Sequence, residues 1–413
     1  MNIYGIIILG TLLFEFILSQ IADWLNLKNM SATLPEEFKS FYDDEKYRQS
    51  QEYTRTYTRF GFIVDVVDLV AILLFWFLGG FNWLDNIVRG FDLPLIWTGL
   101  LYMGILVAAK SILSLPFSIY STFVIEESFG FNKTTVKTFI LDRLKGLVLG
   151  VLIGGPLMAA VLAIFTYIGS SAWLVGWGLV TAISLMISYV APTWILPLFN
   201  KFEPLEDGEL KDTILSYARS VDYPLAGVYK IDGSKRSTKS NAFFTGFGKN
   251  KRIALFDTLL EKHSIKEMVA ILAHEIGHYK KKHIIRQLLA GIVHTGIMFY
   301  LLSIFISHRG LFDAFYMENM SVYAGFIFFG MLYSPIELLL SIGSNILSRR
   351  NEYQADRFAC ETTGDRDALI LALKKLTVNN LSNLTPHPFY AFLTYSHPPM
   401  LRRIKAMREL KLA

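Results

Sequence analysis

Cysteine and charged residues are both scarce in this chain, and their scarcity limits which class of protein it can be. It has 413 residues and a single cysteine, Cys360, so an intrachain disulfide is excluded. Charged residues make up only 18% of the chain, against 53% hydrophobic residues, and the mean hydropathy is +0.39. A soluble chain of this length would be less apolar, and the composition therefore predicts a membrane protein. We expect Cys360 to pack between helices.

Seven apolar runs reach the roughly 20 residues that a helix needs to cross a bilayer. They cover about residues 3–22, 61–80, 95–115, 146–168, 172–196, 287–307 and 322–344. The first run lacks a basic start and a small-residue cleavage site, so it is predicted to be a retained span and not a signal peptide. The sequence also shows no internal repeat and no low-complexity tract.

The net charge of +5 is explained by topology and gives no reason to expect a nucleic-acid partner. Basic residues are concentrated in the connections after the first, third and fifth spans and in the tail. Those after the first and third spans are Lys28, Lys39, Lys46, Arg48, Arg55, Arg59, Lys133, Lys137, Arg143 and Lys145. The connections on the other side carry only Arg89 and Arg309. The positive-inside rule then predicts an external or lumenal N-terminus and a cytoplasmic C-terminus.

One large polar insert, residues 200–286, separates spans one to five (1–199) from spans six and seven (287–344). Its pattern is α+β, with a helix at 208–220, a strand at 226–232 and a helix at 265–285. Two β-rich runs flank a turn at Gly248, Lys249 and Asn250, which predicts a hairpin. A C-terminal region, 345–413, begins with a helix to about 363 and is mostly helical thereafter.

The motif "HEIGH" within the insert is typical of a catalytic metal site. Residues four apart share a helix face, so His274 and His278 can hold one ion. Glu275 lies about 100° around the helix, where it can act as a base on a metal-bound water. The ligand types favour zinc, one ion per chain, although other first-row metals also bind histidine and carboxylate. The alternative is a polar helix face that holds no metal.

A third ligand is needed, and "SRRNEYQADRFA" offers one. Glu352 and Asp356 are four residues apart, so Glu352 could bind the metal while Asp356 holds the outer nitrogen of a histidine ligand. By itself the segment would be interpreted as an ordinary exposed charged face. His283, nine residues after His274, is expected about 180° around the helix and therefore in solvent or at the membrane interface.

Six stretches, in the same order, resemble the integral-membrane zinc metalloproteases of the CAAX prenyl protease 1 type. They are "TFVIEESFGFNKTT", "LPLFNKFEPL", "SNAFFTGFGKNKRIALFDTLL", "HEIGH", "NEYQADRFA" and "YSHPPMLRRI". The resemblance spans nearly the whole chain. HExxH alone is shared by many metalloproteases, but its combination with seven spans is much more specific.

The resemblance implies a mainly α, polytopic membrane protein whose seven helices enclose a water-filled chamber, with a zincin-like α+β catalytic insert. It also implies site residues. The implied roles are zinc ligation by His274, His278 and Glu352, catalysis by Glu275, His397 and Arg403, support of a ligand by Asp356, and binding of the substrate backbone by Asn241, Ala242 and Phe243. From the residues alone, His397 could equally be an ordinary loop histidine, and "NAFFTG" could be core.

The function expected from the resemblance is removal of the C-terminal tripeptide of isoprenylated CAAX proteins or peptides. A chamber would bring water to the zinc and let a lipid-modified substrate approach from the bilayer. The ionisable residues inside predicted spans fit a chamber, or packing between helices. They are Glu15, Asp65, Asp68, Lys110, His294 and Glu337.

Two other functions stay open at this point. One is a membrane-protein quality-control protease. The other is a channel or transporter with a structural metal site, against which an open coordination position and a non-ligating Glu275 argue. The expected location is the inner membrane in a bacterium or the endoplasmic reticulum in a eukaryote.

Overall fold

The computed structural model describes residues 1–245 and 251–411. The helices that form or join the membrane spans are α1 (Ile3–Lys28), α2 (Asp44–Phe77), α3 (Gly80–Arg89), α4 (Leu95–Tyr120), α5 (Val136–Leu149), α6 (Gly155–Tyr167) and α7 (Ala172–Val190). The insert contains β1 (Phe202–Pro204), α8 (Glu209–Ser220), β2 (Leu225–Ile231), β3 (Ala242–Thr245), β4 (Lys251–Phe256), α9 (Asp257–Leu260) and α10 (Ile265–Lys280). The remaining helices are α11 (His283–Phe305), α12 (Arg309–Asp313), α13 (Val322–Thr363), α14 (Arg366–Asn379), α15 (Pro388–Thr394) and α16 (Met400–Arg408).

Seven helical segments are long and apolar enough to cross a membrane, and they match the seven predicted spans. They are Ile3–Lys28, Asp44–Phe77, Leu95–Glu126, Val136–Tyr167, Gly169–Leu198, His283–Phe305 and Val322–Thr363. Only 6 to 22% of each segment's most apolar window is buried. The side chains of these spans therefore face mainly lipid or an open interior and not one another, in line with the predicted chamber.

One predicted span is part of a longer helix, and one predicted helix end was wrong. The connection after the first span is mostly helical, since α2 begins at Asp44, where the Asp43 side chain accepts a hydrogen bond from the Lys46 amide at 2.7 Å. Lys46 and Arg55 therefore lie on a helix that extends beyond the apolar run. The helix predicted at 265–285 ends at Lys280, because Lys282 takes a left-handed conformation with φ of 60° before α11 begins.

Most of the ionisable residues predicted inside the spans pair across neighbouring helices. Lys110 of α4 contacts Asp68 of α2, and Gln20 of α1 donates to Asp65 of α2 at 2.9 Å. His294 of α11 lies 3.2 Å from Glu337 of α13. Pairing lowers the cost of placing a charge in the membrane, as expected if these side chains pack between helices. A paired side chain can also line a chamber, so the pairing is compatible with both proposed explanations.

The end of the bundle that carries the N-terminus is closed by an aromatic core. Phe81, Phe312, Phe315 and Phe328 are at most 2% exposed, and the rings of Phe315 and Phe328 stack at 4.0 Å. The catalytic insert and the tail lie at the opposite end, where Asn29, after the first span, donates to the Thr385 carbonyl at 2.9 Å. The connections after the first and third spans therefore share an end with the insert.

The insert is built on a four-stranded sheet with the order β1-β2-β4-β3. The central pair, β2 and β4, is parallel, while β1 and β3 pair antiparallel to their neighbours. The antiparallel pairing of β3 with β4, in the register Ala242↔Leu255, confirms the predicted hairpin pairing. Its turn, at Gly248, Lys249 and Asn250, lies outside the described residues. β3 is an edge strand, paired on one side only within the described chain.

Candidate active site

Helix α10 carries the HExxH motif and lies against α13 at very short range. It starts at an N-cap, Ser264, whose hydroxyl accepts from the Glu267 amide at 3.4 Å. Gly277, inside the motif, has no side chain, and a Cβ built there would lie 3.0 Å from the Ala355 Cα of α13. This contact brings the backbone of α10 close enough for Glu352, one turn before Ala355, to meet the two histidines.

The three predicted metal ligands converge. The Nε2 atoms of His274 and His278 are 3.2 Å apart, and the carboxylate oxygens of Glu352 lie 3.4 Å from the first and 3.2 Å from the second. Within the described residues these three form the one group of histidine and acidic side chains with metal-ligand spacing, since their ligand atoms all lie within 4.8 Å of one another.

These residues fit a bound metal ion. Tetrahedral coordination with bonds of about 2.0–2.1 Å places neighbouring ligand atoms roughly 3.3 Å apart, close to the separations observed. In addition, Glu352 Oε2 is buried and accepts no hydrogen bond from any described residue, although Arg403 Nη1 lies 3.3 Å away. A carboxylate oxygen that is buried without a donor is costly, and a cation between the ligands would remove that cost.

Asp356 and Arg403 stand behind the ligands. The Asp356 carboxylate lies 2.9 Å from His274 Nδ1 and accepts from Arg403 Nε and Nη2 at 2.9 and 2.6 Å. Burial alone would lower the pKa of His274, but the neighbouring carboxylates of Asp356 and Glu352 raise it to about 9. Protons and a metal ion therefore compete for His274, because a histidine that binds a metal must be neutral.

His283 was predicted in solvent or at the interface, and that prediction was wrong. The residue is 1% exposed, and its Nδ1 lies 3.2 Å from His278 Nδ1 while its Nε2 lies 3.0 Å from Gln354 Oε1. The break in the helix at Lys282 turns the chain back toward the site. The rotation of 100° per residue assumes one continuous helix, so it does not apply to residue 283. The spacing HExxHxxxxH was the available signal, but helical geometry alone argued against it.

Two of the predicted metal ligands, His274 and Glu352, line a cavity of about 450 Å³. Glu275, His274 and Glu352 line one side, and Asn241 and Ala242, at the start of the edge strand β3, line another. The rest of the wall mixes polar residues, among them Thr377, Asn380 and Ser382, with apolar residues of α9, α10, α14 and the start of α16. These apolar residues, which sequence reasoning missed, are Leu259, Ile271, Leu369, Leu373, Leu376 and Met400. Phe243 follows in β3, and its side chain lies outside the described part of the structure.

His397 reaches the same cavity from the loop before α16. Its exposed ring has Nε2 3.4 Å from Glu352 Oε1, and Ser396 Oγ lies 3.0 Å from its Nδ1. If the serine hydroxyl donates to Nδ1, the hydrogen of a neutral ring lies on Nε2, which faces the metal ligands. Arg403 also lines the cavity, but all three of its nitrogens face the carboxylates of Asp356 and Glu352.

A membrane-spanning helical chamber with an HExxH helix, a third candidate ligand from a neighbouring helix and an adjoining cavity defines an integral-membrane metalloprotease. The chain belongs to peptidase family M48: the model of that family matches residues 204–411, and the model described as CAAX prenyl protease N-terminal, five membrane helices, matches residues 23–201. This membership excludes the transporter alternative as the primary function.

Relatives resemble the chain over almost its whole length. The CAAX prenyl protease 1 of Saccharomyces cerevisiae is 34% identical over 98% of this chain and 95% of its own, and the Homo sapiens homolog is 32% identical over 92% and 89%. The crystal structure of Ste24p from S. mikatae superposes with a TM-score of 0.91, covering 98% of this chain and 99% of that one at 34% identity.

Proposed function

We propose that this protein is a zinc-dependent endopeptidase that removes the C-terminal tripeptide from isoprenylated CAAX proteins. The observation that carries the proposal is the convergence of His274, His278 and Glu352 beside a cavity that an edge strand borders. The names of the relatives support the CAAX substrate. The two relatives are named CAAX prenyl protease 1 or its homolog, and each matches this chain along nearly its full length.

The substrate binds by adding a strand. The free side of β3 offers backbone donors and acceptors to an extended peptide, and this kind of recognition tolerates different sequences. Asn241 and Ala242 bring that edge to the cavity that contains Glu275. The peptide bond to be cut then lies between the edge strand and the metal ligands.

His274, His278 and Glu352 would hold the zinc ion, which supplies Lewis-acid activation of water and of the scissile carbonyl. Glu275 accepts the proton of the attacking water and delivers it to the nitrogen of the leaving amine. His397 donates from Nε2 to the oxygen on which negative charge develops. Arg403 acts through Asp356 and Glu352, whose positions it holds, so we revise its role from oxyanion donor to positioning residue.

The isoprenoid would remain in an apolar environment while the peptide is cut. Many of the long apolar side chains along the spans are exposed, as at Val107 (67%) and Leu339 (70%). We place the catalytic end in the cytoplasm, because the connections after the first and third spans, which carry most of the basic residues, lie at that end. An endoplasmic reticulum location is consistent with this topology.

The test uses purified protein, a farnesylated CAAX peptide and its unfarnesylated twin, with Glu275→Gln as the control. We expect wild type to release a tripeptide from the farnesylated peptide and the variant to release none, while elemental analysis finds one zinc per chain in both. Equal cleavage of the unfarnesylated peptide would show that the isoprenoid is not required for recognition. Cleavage of neither peptide by zinc-loaded wild type would contradict the CAAX substrate and favour quality-control substrates.

A further inference from the structure

A short segment, residues 236–240, joins the membrane helices to the edge strand of the active site. On its outer side, Arg236 binds Asp142 of α5 with two hydrogen bonds, at 2.8 and 2.9 Å. Ser237 forms a bridge with Asn132, and the Thr238 amide donates to the Phe131 carbonyl at 3.1 Å. The segment is therefore fastened to the connection between the third and fourth spans before it enters β3.

Lys239, within this segment, contacts three residues at once: Glu126, Tyr53 and Phe131. Its ammonium donates to Glu126 Oε1 at 3.0 Å and to the Tyr53 hydroxyl at 2.7 Å, and it lies 4.4 Å from the centre of the Phe131 ring. Three donors on one ammonium meet two acceptors and an aromatic face, and the side chain is only 33% exposed. These contacts hold the Lys239 side chain from several directions.

Glu126 is itself held by two spans. It ends the π-helical turn Ser121–Glu126 that follows α4, and it accepts hydrogen bonds from Tyr53 and Tyr57, both on α2. Charge-assisted hydrogen bonds of this kind are stronger than neutral ones. A π-helical turn within an α-helical span is frequently found at a functional position. Lys239 is thus attached to α2 and α4 together.

Hydrogen bonds of Lys239 and Ser240 connect this anchor to the start of β3. The Lys239 carbonyl accepts from Thr258 Oγ1 at 3.0 Å, and Ser240 Oγ donates to the Thr258 carbonyl at 3.1 Å. The Ser240 amide donates to Asn380 Oδ1 at 3.3 Å. The next residue, Asn241, lines the active-site cavity. The membrane anchor, Lys239, is therefore followed directly by two residues that line the cavity, Ser240 and Asn241.

We propose that Lys239, held by Glu126 and Tyr53, is a positioning residue that sets where the substrate-binding edge of β3 lies relative to the metal ligands. The inference rests on the proposed function, in which β3 pairs with the peptide. Without the anchor, residues 239–241 keep their contacts with Thr258 and Asn380 but lose the attachment to α2 and α4. The strand edge then becomes more mobile, and peptide binding weakens while the chemistry at Glu275 is unchanged.

The first measurement is steady-state cleavage of a CAAX peptide by Glu126→Gln, Lys239→Met and Lys239→Arg. We expect KM to rise about tenfold in Glu126→Gln and Lys239→Met with kcat within about twofold, which is the pattern of lost uniform binding. Lys239→Arg, which keeps the charge, should recover most of the affinity. The double variant Glu126→Gln/Lys239→Met should be no worse than either single one, because both remove the same contact.

The matched control is Glu37→Gln. Glu37 also binds a lysine, Lys374, at 2.9 Å, together with Arg408, and it is about as exposed as Glu126, with side-chain values of 27% and 18%. It joins the first connection to the tail, and the hydrogen bonds and ion pairs described for it go to Lys374 and Arg408 and not to residues 236–240. An equal rise of KM in Glu37→Gln, a fall in kcat at unchanged KM, or loss of zinc in the anchor variants would each overturn the proposal.

Hydrogen exchange separates this inference from the proposed function. In zinc-loaded protein, the amides of residues 239–242 should exchange at least about tenfold faster in Glu126→Gln than in wild type, and not in Glu37→Gln. Tyr53→Phe, which removes one hydroxyl, serves if Glu126→Gln fails to fold. If wild type cleaves no CAAX peptide but exchange rises as expected, the substrate assignment fails and the anchor stands. Unchanged exchange rejects the anchor whatever the substrate.

Discussion

The rings of His278 and His283 face each other with 3.2 Å between their Nδ1 atoms, at the junction of two helices. Two ring nitrogens at that distance share one hydrogen. If His278 holds a metal through Nε2, its Nδ1 carries the hydrogen and donates it to His283, whose Nε2 hydrogen then goes to Gln354 Oε1 at 3.0 Å. His283 thereby fixes the orientation of His278, much as Asp356 does for His274.

Replacing His283 should weaken metal binding without removing a ligand. We expect His283→Ala to lower zinc affinity about 10- to 100-fold, the usual cost of losing such a partner. His283→Asn offers a carbonyl oxygen as acceptor and should retain most of the affinity. Competition with a chromophoric chelator measures both. Zinc affinity in His283→Ala equal to that of wild type would show that His278 is oriented without it.

The shared helix face of His274 and His278 could be predicted from the sequence, but the residues that support them could not. The i,i+4 spacing of His274 and His278 fixes their shared face wherever the helix lies. His283 was missed because a left-handed Lys282 ends the helix in a run of three lysines, and no residue type there signals the change. The closeness of His397 to Glu352 depends on the return of the tail through α14 and α15, and only the resemblance predicted it.

In the fold as well, the sequence predicts local features but not contacts between distant segments. Hydropathy predicts the seven spans because each span satisfies its backbone by itself. The parallel pairing of β2 with β4 joins strands that are distant in sequence, which a local pattern does not specify. The amphipathic helix α3 and its packing against the aromatic core were also missed, since a short helix between two spans has no hydropathy signal of its own.

The carboxylate of Glu275 is predicted to be required for turnover and not for metal. Glu275→Gln keeps the size of the side chain but cannot accept the water proton, so kcat should fall about 10²- to 10⁴-fold. Zinc content should stay at one per chain, whereas His274→Ala should lose the metal. Elemental analysis and peptide cleavage on the same preparations give the answer. Turnover by Glu275→Gln at the wild-type rate would exclude Glu275 as the base.

Gly277→Ala should damage the site although alanine is the better helix former. The new methyl would lie 3.0 Å from the Ala355 Cα and 3.2 Å from its carbonyl oxygen, and a backbone cannot yield as a side chain can. Because α10 must then move away from α13, we expect the ligands to separate and zinc affinity to fall at least about tenfold. Gly291→Ala on α11, where no atom lies within 4 Å of the added methyl, is the control. Equal zinc affinity in both variants would show that the close approach is not needed.

The buried His263 should make stability sensitive to acid. Burial lowers its pKa below the ordinary 6.5, against the raising effect of the Glu267 carboxylate 2.8 Å away. The unfolded chain then binds more protons than the folded one below about pH 6.5, so stability falls as the pH decreases through that value. In His263→Gln the slope of melting temperature against pH between 7 and 5 should be smaller. A slope as steep as in wild type would assign the acid sensitivity to other groups.

Arg403 is predicted to stabilise the fold as well as the site. The residue is 5% exposed and donates to Asp356 at 2.9 and 2.6 Å, so Arg403→Met leaves two buried carboxylates, Asp356 and Glu352, without their cation. Removing one partner of a buried pair costs about 3–5 kcal/mol, and we expect a clear drop in melting temperature at a fixed scan rate.

Arg408→Met, one further turn along α16, is the matched control for that prediction. Its guanidinium also binds a carboxylate, that of Glu37, but its side chain is 51% exposed. An exposed pair contributes about 0–1 kcal/mol, so this variant should melt close to wild type. Because zinc would compensate part of the lost charge, adding a chelator should widen the gap between the two variants. Equal melting temperatures in the presence of chelator would mean that the buried carboxylates do not depend on Arg403.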